Sequence, residues 1–226
     1  MDARREFVAG VRAMAPLMVG IAPFALVSGV AAVDAGLSPA QAMGLSLFVF
    51  AGTAQLAAID LLGGGAAPSV VVLTVAVVNA RLAMYSASLA PHLRDFPRRW
   101  RAALSYLLTD HVYALAVTRA ESQGVRSLRY YVLGLGATIW VVWQAGTLAG
   151  LALGATVPAS WGLGFVVPLT FLAILVPELK ERVNAGVALI SGSIAVLGAG
   201  LPMNLGLLSG ALAGVLAGAL ATRGER

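Results

Sequence analysis

Residues 130–153 read YYVLGLGATIWVVWQAGTLAGLAL and contain no charged side chain. The hydrocarbon core of a bilayer is about 30 Å thick and an α-helix rises about 1.5 Å per residue, so about 20 apolar residues cross it. This run is long enough to do so. It therefore predicts a helix that spans a membrane.

Similar apolar runs lie on both sides of this one. The chain of 226 residues is 59% hydrophobic and only 11% charged, whereas a soluble domain is about 25% charged. We therefore expect an all-α, polytopic membrane protein with seven to eight apolar helical segments, at least one of them broken or re-entrant. The connections are too short for a second domain, so residues 1–226 should form a single integral membrane transport domain. The segments comprise about 13–33, 41–62, 68–91, 102–118, 130–153, 162–177, 184–200 and 202–222.

Composition excludes several classes of protein. The chain has no cysteine, which excludes disulfides, thiolate catalysis and cysteine-based metal sites. It has two histidines and no HExxH motif, so neither a metal site nor a cofactor is expected. The net charge of +5 comes from basic residues in short loops, which is typical of membrane orientation rather than nucleic-acid binding. The first run, 13–33, exceeds the about 7–15 apolar residues of a signal peptide and is interpreted as a retained span.

Basic residues predict the orientation. Arg4, Arg5 and Arg12 favour a cytoplasmic N-terminus, and the His92–Arg101 loop carries four arginines against one aspartate. Both regions should lie inside, which requires an even number of crossings between them, yet three apolar segments intervene. We expect segment 41–62 to enter the membrane and return, because its Gly52–Gln55 stretch fits a non-helical backbone that lines a cavity.

A weak internal resemblance predicts a duplicated design. Possible repeat halves are 13–91 and 130–200, linked by a single crossing helix at 102–118 and followed by a final helix at 202–222. The single crossing would invert the second half relative to the first, as in many secondary transporters. This arrangement puts the Arg119–Arg129 loop outside, against the rule for basic residues.

Three formal charges, Asp60, Arg81 and Asp110, fall inside the apolar segments. Intramembrane charges are costly, so each should be paired, neutralised or facing water, and each is a candidate ion-coupling residue. Asp60 lies near the end of its segment and is equally well interpreted as an interfacial carboxylate. Arg81 and Asp110 lie deeper and can pair with each other, either as a static ion pair or as part of the transport machinery.

Proton coupling is the role expected of Asp110, because a carboxylate in low dielectric can load and release a proton near neutral pH. His111, next to it, is a further ion-coupling candidate, since histidine exchanges protons in the same range. A helix-packing role for His111 is the alternative.

Candidate substrate-binding residues are those that break a helix or add a polar group inside a span. Broken helices present dipole ends and free amides to the carboxylate and ammonium of a zwitterion. Hydrogen bonds between neighbouring helices, or a glycine-lined helix crossing, would explain the same residues without a substrate. The candidates are Gly52, Thr53, Gln55, Asn79, Tyr85, Thr109 and Pro168.

Two further patterns concern packing. The stripes Gly146-Gly150-Gly154 and Gly206-Gly210-Gly214-Gly218 place small residues on one helix face, which favours close helix contacts within the subunit over contacts with another subunit. Aromatic residues near segment ends, among them Trp100 and Tyr106, are typical of interfacial anchors.

At this point the sequence resembles the AzlC family of branched-chain amino acid permeases over nearly its whole length. Two positions depart from the usual family pattern: Leu82 replaces a common histidine, and His111 replaces an acidic residue. The motifs that carry the resemblance are Gly36-Leu37-Ser38-Pro39, Phe50-Ala51-Gly52-Thr53-Ala54-Gln55, Asn79-Ala80-Arg81 with Tyr85, Ser88-Leu89-Ala90-Pro91, and Leu108-Thr109-Asp110.

The resemblance implies a multi-pass protein of the bacterial cytoplasmic membrane that exports leucine, valine, isoleucine or analogues, together with a small membrane partner of the AzlD type. It implies a transporter. An intramembrane enzyme is not expected from the residues, because the chain has no HExxH motif and no glycine-flanked nucleophile motif to accompany either histidine. Two other functions remain open from the residues alone: a passive small-solute channel, which needs no titrating carboxylate, and a non-transporting membrane assembly subunit.

Overall fold

The structure is a computed structural model that describes residues 3–123, 128–156, 172, 175–176, 179–201 and 205–223. The regular structure of these residues is helical, which confirms the all-α class. The helices are α1 Ala3–Met14, α2 Met18–Asp34, α3 Pro39–Phe48, α4 Gly52–Gly63, α5 Pro68–Val78, α6 Ala80–Leu93, α7 Arg98–Tyr106, α8 Asp110–Gln123, α9 Leu128–Gly154, α10 Arg182–Leu197 and α11 Leu205–Arg223, with a 3₁₀ turn at Ala15–Leu17 between α1 and α2.

Three helical stretches are long and apolar enough to cross a membrane: Ala3–Asp34, Pro68–Leu93 and Leu128–Gly154. Two shorter apolar helices, Arg182–Leu197 and Ser209–Ala221, lie nearer the C-terminus. The predicted segment 162–177 falls largely outside the described residues. The predicted polytopic architecture is thus supported by several apolar helices.

Helix α9 is the spine of the fold, and α1 and α2 pack along it in the same direction. Gly10 of α1 lies against the backbone of Tyr131, and Gly29 of α2 lies against the backbone of Thr147 and Gly150. A Cβ atom at either glycine would overlap α9 backbone. Small residues are required here because the helix backbones touch, and this close approach is how membrane helices associate without a hydrophobic driving force.

The two predicted glycine stripes pack inside the subunit. Gly146 and Gly150 face Ala25 and Leu26 of α2. In the second stripe, Gly210 lies against Ser191 of α10. Both contacts join helices of the same chain, so the expectation of intrasubunit packing is confirmed.

Helices α3 and α4 form a helical hairpin, which we call the first hairpin. Ser38 caps α3 by accepting a hydrogen bond from the Gln41 amide at 3.3 Å, while the Gln41 side chain accepts one from the Ser38 amide. The helix is interrupted after Val49, and a new helix begins at Gly52. Gly63, at the C-terminal end of α4, packs against Ala35. The hairpin therefore leaves from and returns to the C-terminal end of α2.

Helices α7 and α8 form the second hairpin, which starts from the other end of the molecule. Trp100 of α7 packs edge-to-face on Tyr130 at the beginning of α9, and Leu107 lies against Gly136, further along α9. After the break, α8 runs back until Arg119 meets Glu6 of α1. The predicted single crossing helix at 102–118 is therefore wrong: it is two helices that turn at Leu107–Thr109.

The predicted location of the Arg119–Arg129 loop opposite the N-terminus is also wrong. The guanidinium of Arg119 donates to the carboxylate of Glu6 at 2.7 Å and stacks over the ring of Tyr131, 4.8 Å from its centroid. Groups this close cannot lie on opposite faces of a bilayer about 30 Å thick. The N-terminus and the α8–α9 connection share one end of the molecule, as the distribution of basic residues requires.

The predicted repeat between 13–91 and 130–200 stays a prediction. Most of residues 157–178 lie outside the described part of the chain, so the second half has no complete counterpart to compare with the first.

Sidedness gives a direct test of this topology, because the cysteine-free chain accepts single reporter cysteines. Asp95→Cys and Glu121→Cys should react with a membrane-impermeant maleimide only from the cytoplasmic side, and Gly64→Cys only from the outside. The measurement compares labelling in intact and permeabilised spheroplasts. Labelling of Glu121→Cys together with Gly64→Cys from the same side would contradict the arrangement.

The helix contact at Gly150 gives a stability test. Gly150→Leu forces α2 away from α9 and should lower the free energy of unfolding by about 1–3 kcal/mol or more, the range for overpacked cores. Thermal unfolding in detergent, followed by size-exclusion chromatography, measures the effect. Gly192→Leu is the matched control, because nothing lies within 4 Å of its added Cβ atom; equal stability of the two variants would refute the contact.

Candidate functional site

A cavity of about 860 Å³ lies where the helix breaks meet. Its lining comes from the 3₁₀ turn and α2, both hairpin tips, the start of α6 and the middle of α9. The lining residues are Pro16, Leu17, Gly20, Ile21, Pro23, Phe24, Val27, Phe50, Ala51, Gly52, Thr53, Arg81, Leu82, Leu108, Thr109, Asp110, His111, Ile139 and Trp143.

Three helices begin at or beside this cavity. Helix α4 begins at Gly52, α6 at Ala80 and α8 at Asp110. Neither Ala51 nor Asn79 caps its helix with a side chain. The amides of a first helical turn have no partner within the helix, and the dipole makes that end positive. The cavity is therefore surrounded by groups that favour an anion.

An ion pair lies between the hairpin tips. Arg81 Nη1 is 3.2 Å from Asp110 Oδ1, and Arg81 Nη2 donates to the Thr53 hydroxyl at 3.0 Å. Arg81 and Asp110 thus pair, as their positions near the middle of their apolar segments suggested. The Arg81 side chain is 34% exposed and the Asp110 side chain 40% exposed, so both are accessible from the cavity. Arg81 Nε is buried without a hydrogen-bond partner, which leaves part of the guanidinium unsatisfied.

Aromatic and histidine side chains border this pair. Tyr85 stacks on Tyr113 with ring centroids 4.3 Å apart, and the Tyr113 hydroxyl donates to Ser88 at 3.0 Å. Tyr85 also faces Asp110, although it does not line the cavity. His111 lines the cavity and is exposed. The carboxylate of Asp110 is thus flanked by groups able to donate hydrogen bonds.

Gln55 has a different position from the one its motif suggested. It is fully buried; its amide donates to Ser28 at 2.8 Å and its carbonyl accepts from Trp143 Nε1 at 3.1 Å. The side chain ties the first hairpin to α2 and α9 and does not line the cavity. A substrate would not reach it without breaking this network.

Three candidate residues from the sequence remain. One lies at the α5–α6 break, one is exposed away from the cavity, and one lies outside the described residues. Asn79 sits between α5 and α6, and its Oδ1 atom is buried without a hydrogen-bond partner. Asp60 is exposed near the C-terminal end of α4 and does not line the cavity, which agrees with the interfacial alternative. Pro168 lies outside the described residues.

An apolar wall faces the charged groups. Phe24 and Trp143 pack edge-to-face with ring centroids 5.5 Å apart. Gly52 lies against both rings: an added Cβ atom would come within 2.5 Å of Phe24 Cε1 and 2.8 Å of Trp143 Cη2. Gly52 is therefore needed for the α4 terminus to approach this wall, and the cavity joins a polar side to an apolar side.

Sequence reasoning missed two residues at the hairpin tips. Phe50 lines the cavity with φ at +40°, a conformation that costs a bulky residue about 1–3 kcal/mol and occurs mostly at functional sites. Tyr106, interpreted from sequence as an interfacial anchor, stacks on Phe50 with ring centroids 5.6 Å apart. The Thr109-Asp110 pair could have indicated that a new helix, and so a hairpin tip, begins at this point. Thr followed by an acidic residue inside an apolar run is typical of a helix start.

Comparison with known proteins shows which family the chain belongs to. Residues 16–157 match the AzlC protein family, a range that includes both hairpins and every described cavity residue. The chain is 25% identical to inner membrane protein YgaZ of Escherichia coli over 84% of its length and 85% of that protein. It is 30% identical to an uncharacterized membrane protein of Archaeoglobus fulgidus, over 80% of the chain and 79% of that protein.

A membrane protein of Helicobacter pylori is 28% identical over 80% of the chain and 79% of its own length. No solved structure shows significant similarity to the chain. The family match covers more than half of the chain, including the three helix starts beside the cavity. This chain therefore belongs to the AzlC family and is an integral protein of the inner, cytoplasmic membrane.

Proposed function

We propose that this chain is the transport subunit of a secondary exporter of branched-chain or related amino acids. The AzlC family implies branched-chain amino acid transport. The observation that carries the proposal is the two-sided cavity, with an ion pair and helix termini on one side and an apolar wall on the other. Its volume of about 860 Å³ lies within the usual range for small-molecule sites, about 300–1,000 Å³.

The cavity matches the three parts of an aliphatic amino acid. The substrate carboxylate binds at the amides of Gly52 and Thr53 and at the Arg81 guanidinium, since a helix N-terminus and an arginine both favour an anion. The substrate ammonium binds at Asp110. The branched side chain packs against Phe24 and Trp143, where burial of apolar surface stabilises it by about 25 cal/mol per Å².

The other candidates support this site indirectly. Thr109 accepts a hydrogen bond from the Val112 amide at 3.4 Å and so helps to begin α8 at Asp110. Gln55 holds the first hairpin in place through Ser28 and Trp143. Asn79 ends α5 and lets α6 begin beside the cavity. Pro168 stays a sequence-based candidate for the same site.

Proton coupling acts through Asp110 in this proposal. When Asp110 is ionised it holds both Arg81 and the substrate ammonium; when it is protonated both contacts weaken, which favours release of the substrate. Tyr85 and His111 are placed to exchange hydrogen bonds or protons with it. Asp60 is assigned no coupling role, since it is exposed and away from the cavity lining.

The two hairpins support a mechanism of alternating access. We place both as re-entrant elements, the first entering from the outer face and the second from the cytoplasmic face, with their broken tips near mid-membrane. Irregular backbone at that depth is tolerated when it lines a cavity, as both tips do here. This leaves two crossings between the N-terminus and the Arg94–Arg101 region, the even number that the basic residues require.

A small AzlD-type membrane subunit is the proposed partner, on the strength of the family resemblance. The natural first measurement is efflux of preloaded labelled valine, leucine, isoleucine, methionine and histidine, with and without such a partner. Uphill efflux separates a transporter from a passive channel. A non-transporting assembly subunit would move none of these amino acids in either condition.

Substitution Asp110→Asn tests the coupling. It removes the titrating carboxylate while keeping its shape, so uphill efflux driven by a proton gradient should fall to background. Downhill exchange of the same amino acid should persist but require a higher substrate concentration, because the carboxylate site and the apolar wall remain while the partner of the ammonium is weakened. Asp60→Asn is the matched control and should transport like the wild type. Full proton-driven efflux by a folded Asp110→Asn variant would contradict the role.

Substitution Ile139→Ala tests the apolar wall. Ile139 lines the cavity from α9, one helical turn before Trp143 of the apolar wall, and is 5% exposed. Removing its side-chain carbons enlarges the cavity, so the preference for leucine over phenylalanine should fall by about tenfold or more, the discrimination expected of a few methylenes. Val141→Ala is the control, since Val141 on the same helix is 57% exposed and outside the lining. An equal preference ratio in the two variants would contradict the proposed wall.

A further inference from the structure

The two hairpins have the same order of helices but opposite orientations. The hairpins begin at Pro39 and Arg98, their second helices at Gly52 and Asp110, and the helices after them at Pro68 and Leu128, each pair about 60 residues apart. The helices before them, Ala3–Asp34 and Pro68–Leu93, are themselves interrupted, at Ala15–Leu17 and at Asn79. Residues 3–63 and 68–123 thus repeat the same order of elements.

The second unit runs opposite to the first. Gly63 returns to Ala35 at one end of the molecule, whereas Arg119 returns to Glu6 at the other. Helix α6 runs alongside α8, since Arg81 meets Asp110 and Ser88 meets Tyr113, and both therefore run towards the Glu6 end. The molecule holds two hairpins that point at each other from its opposite ends.

The tips of the two hairpins touch at Tyr106. Its ring stacks on Phe50 with an interplanar angle of 25°, and its hydroxyl donates to the Leu47 carbonyl at 2.8 Å. The same hydroxyl accepts a hydrogen bond from Trp140 Nε1 at 3.0 Å. One side chain therefore connects the first hairpin, the second hairpin and the spine helix α9.

Tyr106 does not line the cavity, but the residue it stacks on does. Phe50 forms part of the cavity wall and has positive φ, which an L side chain rarely adopts. A strained residue held by a neighbour can change conformation when that neighbour moves. Tyr106 thus contacts the cavity lining through Phe50, at a point separate from the Arg81–Asp110 pair.

We propose that Tyr106 is a positioning residue that clasps the two hairpin tips together, and that opening this clasp changes the side from which the cavity is reached. The inference rests on the proposed re-entrant orientation of the hairpins. With the clasp closed, the Phe50 ring is fixed against the second hairpin. With the clasp open, the backbone at Phe50 relaxes and one hairpin moves independently of the other.

The test measures access to the cavity without requiring transport. Leu82→Cys places a reporter thiol on the cavity wall of the otherwise cysteine-free chain. Its rate of reaction with an impermeant thiol reagent is measured in right-side-out and inside-out vesicles, and the ratio of the two rates reports the balance of access. Tyr106→Phe keeps the ring and removes both hydroxyl hydrogen bonds. It should change this ratio by about tenfold, as expected when hydrogen bonds stabilise one of two states.

Tyr130→Phe is the matched control, because Tyr130 stacks on Trp100 away from the cavity; its ratio should equal that of the parent. Phe50→Gly is the second variant, since glycine adopts positive φ freely and should keep the hairpin folded. It should shift the ratio in the same direction as Tyr106→Phe. Unchanged ratios in both folded variants would overturn the clasp.

Different experimental results would contradict the clasp and the proposed exporter function. A chain that moves no amino acid but shows the Tyr106→Phe shift retains the clasp and loses the exporter function. A chain that exports amino acids, with unchanged access in both variants, retains the exporter function and loses the clasp.

Discussion

The contact between Arg81, Thr53 and Asp110 holds the centre of this protein together. It joins the first hairpin, α6 and the second hairpin at distances of 3.0 and 3.2 Å. Three helix N-termini lie around it, and the Asp110 carboxylate at the start of α8 is favoured by the positive end of its own helix. The same contact therefore joins the starts of α4, α6 and α8 beside the cavity.

Around this centre the fold divides into a scaffold and two hairpins. The scaffold is α1, α2 and α9, whose backbones touch at glycines such as Gly29 and Gly150. Direct backbone contact allows little relative movement, because each shift would create overlaps along the helices. The hairpin tips are joined to this scaffold mainly by side chains, among them Gln55 and Tyr106. A rigid spine with side-chain-linked hairpins is an arrangement that can transmit movement to a cavity.

The end of the molecule that carries α1 combines charge and aromatic packing. Glu6 pairs with Arg119, and Arg129 stacks over Trp100 and Tyr130. Charges removed from water are costly unless paired, so the Glu6–Arg119 pair fixes α8 to α1 specifically. This anchor sets which end the second hairpin returns to. It also places Arg119 with the N-terminal arginines, as expected for residues retained in the cytoplasm.

The sequence by itself determined the membrane class, the helical composition, the basic end and the pairing of Arg81 with Asp110, because each follows from local hydropathy and from the cost of a buried charge. It also marked the first hairpin through Gly52–Gln55, but this stretch is helical, and the expected non-helical backbone lies just before it, at residues 49–51. Only the tertiary structure decided that 102–118 turns back, that Gln55 is buried outside the cavity lining and that Tyr106 meets Phe50. An apolar run has the same composition whether it crosses or returns, and the direction of a side chain is set by contacts between residues far apart in sequence.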